Sequence, residues 1–219
     1  MYLNGVSANG DGPYDFQYSA QSVWNLLEPR HTQTLTLDTT PPAITITQPT
    51  ATQYPHNAIL TLNFSADDGA GSGVQSTTPK MDSSSTLMDG TPVTNNLAIH
   101  LLTQMTLGPH TFTVNAMDNV NNPSMSSVPF EIVVTPESIK GDVTQFLQSG
   151  AIKNSGEANS LLAKLDAAAE ARARGQCSTA ANLYQAFISE LRAQSGKGVD
   201  PTAAQIMILD AQYLITHCP

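Results

Sequence analysis

Two hydrophobic periods divide the chain. Up to Val134, apolar and polar positions alternate in short runs, and beyond Thr135-Pro136 the apolar positions recur at three- and four-residue spacing. The alternating runs are Tyr14–Ala20, Thr32–Leu37, Ala43–Gln48, Ile59–Ala66, a weak pair within Lys80–Met88, Leu97–Leu102, Pro109–Met117 and Ser127–Val134. Short strands separated by Gly, Pro and Asn predict an antiparallel sandwich of two sheets. Leu60, Leu62, Phe64 and Ala66 should face its core, with Phe112, Val114 and Ala116 opposite.

The runs around Phe16 and Phe112 look like two copies of one unit. Phe16 matches Phe112, Tyr18 matches Val114 and Ala20 matches Ala116, and an Asn-containing turn follows each run. The first copy has only its last two strands, so its edges need a cover. It is expected to be poorly ordered or paired with another chain. Asp38-Thr39-Thr40-Pro41-Pro42 is a stiff junction between the copies. The predicted organisation is residues 1–37 as the second half of a preceding repeat, 38–135 as a complete sandwich, and 136–219 as a helical domain.

In the helical part, Ile139, Val143, Phe146 and Leu147 mark a helix over Ser138–Ser149. Asn154 and Glu157 fit a capping box opening a second helix, which runs through Leu161, Leu165 and Ala168 to Gly175. Leu183, Tyr184, Phe187, Ile188 and Leu191 mark a third over Ser178–Ser195, closed by Gly196-Lys197-Gly198. Asp200 as cap and Pro201 at the first turn open a fourth, running towards Cys218. The result is a small all-α antiparallel four-helix bundle. Cys177 lies 21 residues before Gly198 and Cys218 lies 20 after it, which places the two sulfurs level at the far end of a helical hairpin. A disulfide is predicted there, worth about 4 kcal/mol in the chain-entropy model. The alternative is two buried free thiols.

Composition adds a setting. Charged residues make up 12% of the 219, with Thr, Ser, Asn, Pro and Gly abundant, as in secreted sandwiches. A net charge of −9 argues against nucleic acid or an anionic membrane surface as partner. No apolar run is long enough to span a membrane. Met1 to Pro13 lacks a basic start and an apolar stretch, so it does not read as a signal peptide. A disulfide implies an oxidising compartment. An extracellular or surface location is therefore expected, the chain being a piece of something longer.

Three motifs resemble a family. Asp38-Thr-Thr-Pro-Pro42, Asp67-Asp-Gly-Ala-Gly-Ser-Gly-Val74 and Ala116-Met-Asp-Asn-Val-Asn-Asn122 resemble the bacterial Ig-like repeats of secreted and surface proteins. They depart from that pattern at Asn121, where glycine is usual, and at Ser22, where the half copy would carry Asp. The resemblance implies an Ig-like β-sandwich serving as spacer or adhesive module. Asn182–Ile188, Ala193–Lys197 and Ala203–Ala211 resemble the FIMAH domain, a small helical unit that tends to terminate secreted bacterial enzymes and surface proteins.

Candidate chemistry is sparse. No nucleophile elbow, zinc-helix motif or phosphate loop occurs, and Gly69–Gly73 leads into a strand and reads as a turn. The five histidines are scattered, His217 being placed to meet the dipole of the last helix. Asp166, Glu170 and Glu190 read as solvated faces beside Lys164, Arg172 and Arg192. One end of an Ig-like sandwich would gather Asp38, Asp67, Asp68, Asp118, Asn119 and Asn121, hard oxygen ligands that suit calcium, the alternative being that Asp and Asn simply favour turns. Equal melting midpoints in EDTA and in millimolar calcium would dispose of that reading. No other cofactor is implied.

The resulting expectation is a non-catalytic C-terminal region of a larger secreted or surface protein, acting as rigid spacer and terminal attachment module. Its partners would be the other domains of that protein and a cell-wall or glycan component. The first alternative is a dedicated binding module in the helical bundle, recognising cell wall, glycan or a protein. The second is an enzyme, for which the residues offer no set of converging titratable groups.

Overall fold

The computed structural model describes residues 10–218. The expectations for the first nine residues, which cover most of Met1 to Pro13, lie outside them. The strands are β1 (Gly12–Tyr18), β2 (His31–Leu37), β3 (Ala43–Gln48), β4 (Gln53–Pro55), β5 (Ile59–Thr61), β6 (Asn63–Asp67), β7 (Val74–Met81), β8 (Ala98–His100), β9 (Gly108–Asp118) and β10 (Pro123–Val133). The helices are α1 (Leu101–Gln104), α2 (Pro136–Gln148), α3 (Ser155–Ala173), α4 (Cys177–Gln194) and α5 (Pro201–Thr216). A β-sandwich region is thus followed by a helical bundle.

The chain gathers into two compact units. One comprises the described part of Met1–Thr50 with Leu62–Leu97 and Thr111–Pro129. The other comprises Ala51–Thr61, Ala98–His110 and the described part of Phe130–Pro219. The helices therefore share a unit with two segments from inside the strand-rich stretch.

In the first unit, β3 pairs antiparallel with β6, and β7 pairs antiparallel with β9 from Val74↔Asp118 to Met81↔Phe112. The alternation expected for β9 is realised, with Phe112, Val114 and Ala116 buried and the Phe64 ring 5.9 Å from that of Phe112. Of the four residues expected opposite, Leu62 and Phe64 are buried and Ala66 only partly so, while Leu60, also buried, belongs to the second unit. Of the weak pair expected within Lys80–Met88, only an isolated Met81↔Ser84 bridge forms. The strand is β7, which starts at Val74, and the chain then reverses through Asp82 and Ser83, both at positive φ. Val-Gln-Ser-Thr-Thr-Pro-Lys-Met shows little alternation, because β7 lies at the edge of the sheet in the order β4-β10-β9-β7. An edge position also tolerates Pro79, which has no N–H to donate.

β1 and β2 form a regular hairpin, from Gly12↔Leu37 to Tyr18↔His31. Within its connection, the turn Ser22–Leu26 repeats the main-chain pattern of Asp118–Asn122. Asp118 Oδ1 accepts from the Val120 and Asn122 amides at 2.9 and 2.7 Å, while Ser22 Oγ accepts from the Trp24 and Leu26 amides at 3.3 and 3.2 Å. Asn121 and Asn25 occupy the same left-handed corner, at φ 72° and 62°. Ser22 therefore keeps the acceptor that Asp118 supplies in the complete copy, and Asn serves at the corner where glycine is usual. Val23, Trp24, Leu26 and Leu27 leave this turn with their side chains in solvent.

In the second unit, β4 runs parallel to the end of β10, from Gln53↔Glu131 to Val133↔Pro55, an exception to the antiparallel pattern expected. β5 pairs antiparallel with β8. The strand expected over Leu97–Leu102 stops at His100, and Leu101 begins the short helix α1. α3 packs on α4, α4 on α5, and α2 on both α3 and α5. Their common core includes Ile139, Val143, Leu161, Leu165, Tyr184, Phe187, Leu191, Met207 and Leu214. Each side chain of this size contributes roughly 1.5–3 kcal/mol by leaving water.

The helix ends follow the sequence signals. The Asp200 carboxylate accepts from the Thr202 and Ala203 amides at 2.8 and 3.2 Å. Gln194 O accepts from the Lys197, Gly198 and Val199 amides, with Gly196 at φ 76°. Asn154 Oδ1 caps α3 through the Glu157 amide at 2.8 Å. The full reciprocal box sits instead at α2, where Thr135 and Ser138 cap each other's amides.

Candidate functional site

Of the six residues expected to gather oxygen ligands, Asp38, Asp68 and Asp118 come together. Each offers a carboxylate oxygen, and these lie within 4.8 Å of one another. Three anions so close repel unless donors offset them, and backbone amides provide that. Asp38 accepts from the Ser72 amide at 2.6 Å and the Thr40 amide at 3.2 Å, and Asp68 accepts from the Gly73 amide at 2.7 Å. Asp118 is fully buried, with Asn122 Nδ2 donating to its Oδ2 at 2.7 Å and to Asp38 O at 3.1 Å. Hydrogen bonding from Ser72 holds the Asp38 carboxyl below its ordinary range, against the opposing effect of burial.

The other three expected residues do different work. Asp67 turns its Oδ1 to the Gly69 amide at 3.0 Å. Asn119 points its amide nitrogen at Ser72 O and Gly73 O, stapling the glycine-rich turn. Asn121 supplies the left-handed corner. Two contributors were not anticipated. Asn122 bridges two of the aspartates, and Asp11 accepts from the Thr39 amide and hydroxyl at 2.9 and 2.8 Å and from the Thr40 hydroxyl. The Thr40 hydroxyl, then that of Thr39, holds the Asp11 carboxyl below its ordinary range.

Gly71 closes the cluster. A Cβ there would stand 2.5 Å from Asp68 Oδ2 and 2.9 Å from Asp38 Oδ2. Gly71→Ala is therefore expected to push both carboxylates off the Ser72 and Gly73 amides. The expected cost is about 1–3 kcal/mol, read from urea unfolding of the strand signal. An unchanged midpoint would mean the cluster tolerates displacement.

A second constellation lies in the helix-bearing unit and was not anticipated. Asp142 on α2 and Asp210 on α5 are fully buried, and His56, between β4 and β5, is nearly so. Asp210 Oδ1 accepts from His56 Nδ1 at 2.8 Å. Burial first, then the hydrogen bond and charge of Asp210, push the Asp142 carboxyl up to about 9. A faint signal existed in the sequence. Each aspartate sits at i+3 from a core residue, Ile139 or Met207, on the apolar face of its helix.

Three other helical carboxylates form ion pairs, Lys140–Asp166 at 3.1 Å, Lys164–Glu190 at 2.6 Å and Arg174–Glu170 at 3.6 Å. Arg172 instead donates to Leu214 O at 2.8 Å and to His217 O. His217 stacks on Tyr213 with ring centres 3.9 Å apart and turns Nδ1 to Tyr213 O at the end of α5. Cys177 and Cys218 are bonded, with Cα atoms 5.8 Å apart, at that same end.

Residues 136–216 match the family model of the FIMAH domain. The match takes in α2 to α5, and with them Asp142, Asp210 and Cys177. No curated protein matches the chain. Among the described residues, no helix of the FIMAH-like region or elsewhere is long and apolar enough to cross a membrane.

Proposed function

We propose that this chain is a non-catalytic terminal region of a larger secreted or surface bacterial protein. The Ig-like part serves as a rigid spacer and the helical part as a terminal attachment module. The observation that carries this reading is the FIMAH match lying over a helical bundle closed by a disulfide. A structural disulfide persists in oxidising compartments, which supports an extracellular setting. For the Ig-like part, support comes from the turn shared by β1–β2 and β9–β10 and from the opening of the sandwich. There β3 pairs with β6, while the next strand, β4, pairs with β10.

A dedicated binding module is the second reading. It is favoured by a groove between α4 and α5 lined by Arg192, Ser195, Gln205, Ile208 and Gln212, which mixes a cation, amides and an apolar floor. The test is retention of the full chain on insoluble cell-wall and polysaccharide panels, beside a variant carrying Arg192→Ala and Gln212→Ala. Retention that the variant loses makes the groove the functional end. Retention that the variant keeps moves attachment to another surface, and retention on nothing leaves the spacer role alone.

A further inference from the structure

The Asp142–Asp210–His56 cluster is used by none of these readings, and its chemistry is unusual. Among the described residues, both Asp142 oxygens, Asp210 Oδ2 and His56 Nε2 are buried with no donor or cation in hydrogen-bond reach. Ionised carboxylates only accept hydrogen bonds. Two of them side by side in a dry core are costly, and one imidazole offsets at most one charge. A single proton resolves the conflict, because it turns Asp142 into a donor for Asp210.

We propose that this unit is closed by one retained proton. Asp142 stays a neutral acid that hydrogen-bonds Asp210, whose other oxygen holds His56, so that α2, α5 and the β4–β5 connection are clamped together while the proton is bound. On release the proton passes to water and leaves two buried carboxylates against one imidazole.

Most charged groups on the packed elements have partners of their own. From α2, Lys140 pairs with Asp166 of α3, and Glu137 lies in the first turn. From α3 and α4, Lys164 pairs with Glu190, Glu170 with Arg174, and Arg172 is spent on Leu214 O and His217 O. Arg192 of α4 lines the α4–α5 groove. Asp200 caps α5, Glu131 of β10 accepts from Gln53 Nε2 at 2.8 Å, and His110 meets Thr106 O at 2.7 Å. Burial raises Glu157, Tyr184 and Tyr213, the tyrosines beyond their ordinary alkaline range.

The direction of the pH effect follows from linkage. The folded state holds the Asp142 proton more tightly than the unfolded chain does. The contribution to stability is therefore fully present below the ordinary carboxylate value and is lost as pH rises through the higher folded one. Across that window the unfolding equilibrium constant grows by up to about tenfold per pH unit for the one proton. Asp38 and Asp11 of the other unit, being lowered, act in the opposite sense and only in acid, below the range needed here.

The experiment is urea unfolding of the full chain, followed by its helical signal, from pH 5 to pH 9, for the wild type and for Asp142→Asn. Asparagine keeps a donor towards Asp210 and cannot ionise. The wild-type midpoint is expected to fall with rising pH and the variant's to fall less, so the ratio of their unfolding constants changes at least tenfold across the range. Parallel slopes would overturn the proposal. Should the variant fail to fold, the carboxyl carbon resonance of Asp142 in the wild type decides. A shift still at the protonated position at pH 6 supports the retained proton, and an ionised one at pH 6 refutes it.

Discussion

Replacing Cys177 and Cys218 with serine, or reducing their bond, lowers the stability of the helix-bearing unit by about 4 kcal/mol. The bond joins positions 41 residues apart, from the first turn of α4 to just beyond α5. Without it the unfolded chain regains the freedom of that loop, while the folded unit keeps its core. Thermal melting of the helical signal with and without reductant reads this as a fall of more than about 10 °C. A smaller outcome has a specific cause. Arg172 on Leu214 O and His217 O, with the Tyr213–His217 stack, holds the same end of the bundle. A loss under about 1 kcal/mol would show that these contacts suffice and that the bond adds little.

Asp210→Ala is expected to cost about 3–5 kcal/mol, on the scale found when one member of a buried pair is removed. It leaves Asp142 and His56 in a dry core with no partner between α5 and the β4–β5 connection. The control is Glu170→Ala. Glu170 meets Arg174 at 3.6 Å on the surface, where such pairs contribute at most about 1 kcal/mol. Urea unfolding of both variants at pH 6 separates the two cases. A loss for Asp210→Ala no larger than that for Glu170→Ala would mean that water reaches the cluster and screens it.

Where the sequence reading succeeded, the information was local. Asp200-Pro201 starts α5 because a short carboxylate and a fixed φ suit a helix entry whatever surrounds them. Gly196 ends the preceding turn because it adopts φ 76° without strain. The disulfide was legible because two helices joined by a tight turn must run side by side, which set both cysteines at one level. The likeness of Phe16, Tyr18 and Ala20 to Phe112, Val114 and Ala116 is accompanied by matched hydrogen bonds in the turns at Ser22 and Asp118.

Where it fell short, the information lay in a partner distant along the chain. β7 is polar on both faces, and its pairing with β9 makes it a strand. Within the expected ligand set, Asp67 and Asp68 are adjacent in sequence, yet the turn sends one to the Gly69 amide and the other to the Gly73 amide beside Asp38 and Asp118. Asn122 has the local character of a turn residue, yet its amide bridges Asp38 and Asp118.

The sequence by itself determined the change from strands to helices at Thr135-Pro136, the helix ends, the disulfide and the repeated turn, because backbone preference and hydrophobic period act over a few residues. Only the tertiary structure decided which segments share a unit, which aspartates meet, and that His56 and Asp210, 154 positions apart, form a hydrogen bond. The physical reason is burial. An aspartate on a helix face reads the same in sequence whether water or another carboxyl stands opposite, and only the packing of α2 against α5 removes the water and leaves a proton to do its work.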